Sequence, residues 1–272
     1  MPGFGLKIVD QSRAQIEPII DYALAHGAPI EVGLYFGDIQ ARDLLRSCLP
    51  DSAATVAVHL NHRRLSLLEI QRQEAALREQ LSAAAELGAT SVITHLGNYP
   101  MTARLSLRER LWDQLSADLS FAEALASDYG LRLHIENTFH DLAFYRELLD
   151  ALRASRATPV NFCFDMGHAK VWSSESLREW LAFLLTQRQQ GTALHLHLHA
   201  NEGLIDQHQP FTLASDREGV IEDDFMQDLD WPSALRLIDR SFPDAAKIFE
   251  VPPEVAVDHY EQVLAAINRL PH

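Results

Sequence analysis

Along the chain, short apolar runs alternate with longer segments whose apolar residues recur every three or four positions. Runs at residues 4–9, 30–36, 55–60, 91–96, 131–136, 160–165, 193–199 and 247–250 are bounded by turn residues. They read as strands buried on both faces, as in a parallel sheet. The intervening pattern predicts helices over 12–26, 38–49, 66–87, 107–129, 142–154, 176–190, 231–241 and 254–270. Ser12 is the expected N-cap of the first, and Gly88, Gly130 and Gly191 stand just past three of the helix ends.

Eight strand–helix units in a chain of this length predict an α/β fold, a single-domain (β/α)8 barrel over residues 1–272. An open doubly wound sheet also alternates strand and helix, but here the repeat runs unbroken to eight. One irregular stretch, about 201–230, is long enough to be an active-face loop.

In such a barrel, chemistry is expected where the strands end. Reading across those positions gives His59, His95, Glu136, Asp165 with His168, His199, and Glu250, with Asp206 and His208 following in the long loop. The stretch FDMGH is the sharpest of these, because a buried strand has no packing need for a charged Asp at its end. Any one such histidine is commonly a hydrogen-bonded structural residue. Together, five imidazoles and four carboxylates at one mouth would carry unbalanced negative charge unless cations held them. Imidazole with carboxylate suits zinc, manganese, iron or cobalt, and nine ligands suit two or three divalent ions, zinc first.

Composition adds limits. The formal charge is −15 with only three lysines, Lys7, Lys170 and Lys247, so a nucleic-acid partner is not expected. No run is long and apolar enough to span a membrane, no leader pattern opens the chain, and Cys48 and Cys163 form no scaffold. A soluble cytoplasmic protein of open oligomeric state is the expectation.

The nine positions resemble the endonuclease IV-like and xylose isomerase-like barrels. In endonuclease IV, three zinc ions are held by His, His, Glu, Asp-x-x-His, His, Asp-x-His and Glu in that order. This chain matches with His59, His95, Glu136, Asp165, His168, His199, Asp206, His208 and Glu250, and IENT and FEVPP look like the family's strand ends. The resemblance implies bridging or general-base roles for Glu136 and Glu250, with His168 near the reacting centre. The segment YFGDIQARD lacks the basic and aromatic residues that endonuclease IV inserts into DNA, and LNHRR after His59 offers no wedge.

The resulting expectation is a di- or trinuclear phosphoesterase acting on a small phosphodiester or phosphomonoester of a nucleotide, sugar or cobamide-like cofactor. The alternative is a divalent-metal sugar or sugar-phosphate isomerase or epimerase, which by resemblance needs one ion on Glu136, Asp165, His199 and Glu250 and passes a proton between Glu136 and Glu250. A barrel that only binds a ligand is a third reading, disfavoured by the intact set. Lys170, Trp172 and Arg104 are candidate substrate contacts, as are Arg63, Arg64 and Arg217, although ordinary surface roles would account for most of these. His134, His195 and His197 share a strand face with the ligands and either orient them or fill a polar barrel interior.

Overall fold

The computed structural model describes residues 3–52, 54–156, 158–212 and 224–270. Eight parallel strands close a barrel in sequential order, β1 Phe4–Val9, β2 Ile30–Gly33, β3 Thr55–His59, β4 Ser91–His95, β5 Arg132–Glu136, β6 Asn161–Asp165, β7 Leu194–Leu198 and β8 Ala246–Phe249. β8 pairs back to β1 through Phe4↔Lys247 to Leu6↔Phe249. The helices around it are α1 Arg13–His26, α2 Ile39–Cys48, α3 Glu74–Glu86, α4 Arg108–Asp128, α5 Leu142–Ser155, α6 Met166–Trp172, α7 Leu177–Gln189, α8 Trp231–Ser241 and α9 Ala256–Arg269.

Alternation along the strands separates two environments. Leu6, Ile8, Ile30, Val32, Val92, Leu133, Phe162 and Leu196 point outward into the main apolar core under the helices. The interior holds a small apolar cluster of Ala57, Ile93 and Cys163, with Ile248 against Gly5. The rest of the interior carries Lys7, Glu31, His134, His195 and His197, all buried or nearly so. Branched aliphatic layers usually fill this space. Here it is a polar network that opens upward into the site.

Three departures from the sequence pattern have local causes. The run at 30–36 leaves the sheet after Gly33 because the Asp10 carboxylate collects the amides of Tyr35, Phe36 and Gly37 at 2.7, 2.7 and 2.9 Å. The predicted helix over 66–87 starts only at Glu74. Ahead of it, the Leu67 and Leu68 amides donate to the carbonyls of His95 and Leu96, and the Glu69 amide donates to buried Asp118 at 2.7 Å. The short helix α6 is not predicted by the pattern, since its seven residues offer no periodicity to read. Ser12 precedes α1 but makes no side-chain cap, whereas Ser176 and Glu179 form a full capping box on α7.

Candidate active site

The β5 and β6 ends are tied together by one side chain. Asn137 Oδ1 accepts from the Asp165 amide at 2.6 Å, and its Nδ2 donates to the Asp165 carbonyl at 2.9 Å. Asp165 caps α6 by accepting the His168 amide at 2.6 Å. His168 Nδ1 lies 2.8 Å from the Asn137 carbonyl, and a proton there turns Nε2 toward Asp206 Oδ2 at 3.3 Å. Gly167 is required by contact: a Cβ on it would lie 1.9 Å from His199 Cε1, so the imidazole rests directly on the glycine backbone.

All nine strand-end and loop residues converge on one mouth. Glu136 Oε2 lies 2.8 Å from His59 Nε2 and 3.0 Å from His95 Nε2. Its Oε1 lies 3.1 Å from His197 Nδ1, and Glu250 Oε1 lies 3.0 Å from the same nitrogen. His199 Nε2 sits 3.2 and 3.3 Å from the two oxygens of Asp165. From the long loop, His208 Nε2 meets Asp206 Oδ2 at 2.9 Å, and its Nδ1 lies 3.3 Å from Glu250 Oε2. The loop is closed by paired hydrogen bonds between Ala200 and Gln209, both 2.8 Å. His208 takes a left-handed backbone, φ 49°, and stacks on His199 at 4.2 Å. Strain of this kind persists only where surrounding contacts impose it.

The sequence reading missed four members. Lys7 on β1 pairs with Glu250 and with Glu31, so a cation does enter the carboxylate cluster. Glu31 on β2 lies 2.7 Å from His195 Nε2 and 2.9 Å from His197 Nε2. His62 stacks on His95 at 4.7 Å, and the ligand atoms of His59, His62 and His95 lie within 4.8 Å of one another. Tyr35 packs edge-on to His59 at 5.4 Å. For Lys7 and Glu31 a signal existed, a charged residue between two apolar ones on a strand buried on both faces.

The mouth opens into a cavity of about 710 Å³, walled by Tyr35, Tyr99, Phe139 and Trp172, with Arg63 and His62 at its edge. Trp172 lies 5.0 Å from the His168 ring and 4.8 Å from that of Phe139. Lys170 instead packs over Gly203, and neither it nor Arg104 lines this cavity. Arg64 pairs with Glu79 at 3.1 Å, and Arg217 lies outside the described residues.

Charge in the site is strongly organised. Burial opposes ionisation of Glu136, but His95 and His197 outweigh it and hold its carboxyl well below the usual range. Glu250 is likewise held low against burial by His197 and Lys7, and Asp165 by His168 and His199. His168 is raised against burial to about 10 by Asp165 and Asp206. Burial lowers His59, and burial with His95 and His59 lowers His62 to about 3, so both are neutral imidazoles near pH 7. The ionised carboxylates beside neutral imidazoles form a donor set suited to a divalent ion. Asp206 Oδ1 is buried without a hydrogen-bond partner, 3.6 Å from His199 Nε2, and a cation at this point would satisfy it.

Fold and site together define a (β/α)8 barrel with a carboxylate–histidine cluster at its C-terminal face. The chain belongs to the xylose isomerase-like TIM barrel family, which matches residues 40–270. Among solved structures, it is similar to the TTHB071 protein of Thermus thermophilus soaked with ZnCl2, at 24% identity and TM-score 0.70 over 100% of both chains. A D-tagatose 3-epimerase-like protein aligns over 97% of this chain and 98% of its own, at 17% identity and TM-score 0.67. The 3-keto-D-glucoside 4-epimerase YcjR of E. coli aligns over 98% and 99%, at 14% identity and TM-score 0.62. At these identities the likeness is one of fold. No curated protein sequence matches the chain. Among the described residues, no helix is long and apolar enough to cross a membrane.

Proposed function

We propose that this chain is a divalent-metal isomerase or epimerase of a sugar-like substrate, acting by proton transfer between Glu136 and Glu250. The order of the two readings raised by the sequence is thereby reversed, since nothing in the family match or the structural neighbours points to hydrolysis. One observation carries the reading: the Oε1 atoms of Glu136 and Glu250 both lie on His197 Nδ1, at 3.1 and 3.0 Å. Two carboxylates at the ends of β5 and β8, three strands apart around the barrel, thus converge at the floor of one cavity, an arrangement suited to removing a proton from a carbon and returning it from a second group.

Glu136, Asp165, His199 and Glu250 would hold the ion. When bound, it would polarise the carbonyl and hydroxyl oxygens of the substrate and so acidify the neighbouring C–H. The chain's own residues do the rest. The carboxylate that abstracts the proton rests ionised, as its neighbours require. His208, raised by Asp206 and Glu250 against burial, sits 3.3 Å from Glu250 Oε2 and can pass it the proton it returns to carbon. Trp172, Phe139 and Tyr99 supply flat apolar walls suited to the C–H faces of a sugar and keep bulk water from the reacting carbon. The Asp206–His208 pair and the His59–His95 pair exceed what one ion needs, and they are the observation that still favours a multinuclear hydrolase as the second reading.

Deuterium wash-in from D2O separates the two. A panel of ketoses and aldoses, incubated with protein loaded with Mn, Co or Zn, is expected to exchange one carbon-bound proton in at least one sugar. Glu136→Gln and Glu250→Gln are each expected to cut that exchange by about a thousandfold. No exchange with any sugar, together with hydrolysis of bis-p-nitrophenyl phosphate, would sink the isomerase reading in favour of the hydrolase.

A further inference from the structure

A second cavity, about 620 Å³, opens at the opposite end of the barrel, among the residues that lead into β2–β5, β7 and β8. Chemistry in this fold sits at the other end, so this cavity takes no part in the reaction proposed above and stands independently of it. Its volume falls within the range that encloses small organic ligands. Part of its lining is apolar, from Leu24, Ala28, Val56 and Phe242, and part is polar, carrying Arg132, His134 and His195.

The polar lining has unmet needs of one sign. The carboxylate of Asp244 is taken by Arg188 at 2.8 Å, which leaves that pair neutral. Arg132, at the first position of β5, forms no ion pair among the described residues, so the cavity has one uncompensated positive charge in a chain of formal charge −15. His134 is 3% exposed, and its Nδ1 is buried without any hydrogen-bond partner. An orphaned buried polar atom is uncommon and costs free energy unless something in the site offsets it. The hydroxyls of Thr90 and Ser91 both donate to the Val56 carbonyl at 3.0 Å, so Arg132 is the charged group, and His134 the orphaned buried one, that this lining offers a ligand's head.

We propose that this cavity binds a small organic anion, an apolar body bearing one carboxylate or phosphate group. Arg132 pairs with the head group, His134 supports it from the barrel interior, and the body lies against Ala28, Val56 and Phe242. A cationic ligand has no free carboxylate to meet it. A fully neutral polyol would leave Arg132 unpaired and would gain little from the apolar lining.

The test is methyl NMR of the full-length, metal-loaded protein titrated with benzoate, phenyl phosphate and benzyl alcohol. Saturable shifts are expected at the methyls of Ala28, Ala54, Val56 and Ala245, with one or both anions binding at least about tenfold more tightly than the alcohol. Arg132→Gln should weaken the anions by about tenfold and leave benzyl alcohol unchanged, while Arg132→Lys retains part of the preference. The substitution is at an exposed side chain, so the fold survives it. Tighter binding of benzoate identifies a carboxylate site, and tighter binding of phenyl phosphate a phosphate site. Equal affinity for benzyl alcohol, shifts confined to the catalytic mouth, or anion binding indifferent to Arg132→Gln would each overturn the proposal.

Discussion

At the scale of single residues, the site depends on atoms that are absent as much as on those present. Gly167 sits between Asp165 and His168 and leaves room for the His199 ring, which a methyl group would meet at 1.9 Å. Gly167→Ala must therefore move the imidazole or the α6 backbone, and overpacking of this kind costs about 1–3 kcal/mol. If His199 shares an ion with Asp165 as proposed, the expected outcome is a folded protein whose affinity for Mn or Zn by calorimetry falls at least about tenfold. Unchanged affinity would mean that His199 is not a ligand. His62 makes the complementary case. It is a neutral imidazole with Nδ1 buried and unpartnered, placed beside His95 by a turn in which the Arg64 and Leu65 amides donate to the Asn61 carbonyl. If it joins His59 and His95 on a second ion, His62→Ala lowers bound zinc by one equivalent in elemental analysis and leaves the stoichiometry for manganese at one.

At the scale of elements, the loop carrying Asp206 and His208 is fastened to α9 through Phe211. The Phe211 amide donates to His259 Nε2 on α9 at 2.9 Å, and the two rings stack at 5.7 Å. Burial pushes His259 from its ordinary 6.5 down to about 4. Because burial favours the neutral ring, the folded state is fully stable with respect to this group above pH 6.5 and loses up to about 3 kcal/mol as pH falls toward and below 4, where protonation also removes the acceptor for the Phe211 amide. Amide exchange at Phe211 is expected to accelerate over that interval beyond its intrinsic pH trend, and His259→Phe should remove the acceleration while raising the rate at pH 7. The elements themselves were largely legible: β1 has the bounds that its apolar run predicted, and every strand falls within two residues of the predicted start. What the pattern did not carry was long-range hydrogen bonding. Asp10 ends β2 early by gathering three amides, and the carbonyls at the end of β4 hold residues 67–68 out of α3. The nine site positions were legible because strand ends in a barrel share one face. Lys7 and Glu31 escaped because they lie one layer deeper, and His62 because only a turn brings it in.

At the scale of the whole molecule, the polar barrel interior changes how the charge of the site is balanced. Four carboxylates at one mouth call for several metal ions when counted alone, yet Lys7 and the histidines of β7 already answer part of that charge from below. Lys7 is held well above its ordinary pKa by Glu250 and Glu31 against its burial, and His197 is raised well above its own against burial by Glu250, Glu31 and Glu136. The counterpart is Glu31, fully buried and held well below 4.5 despite that burial by His197, Lys7 and His195. A carboxyl with a depressed folded pKa stabilises the protein above its unfolded value near 4.5 and loses that contribution as pH falls below it. Glu31→Gln should therefore lower Tm at pH 7, with a cost of about 3 kcal/mol for opening a buried ion pair, and should flatten the fall of Tm between pH 4.5 and 2 relative to wild type. Thermal melts of metal-free protein across that range provide the measurement. A parallel acid limb in wild type and variant would mean that the interior network holds no charge, and the carboxylates above it would then need metal to remain ionised together.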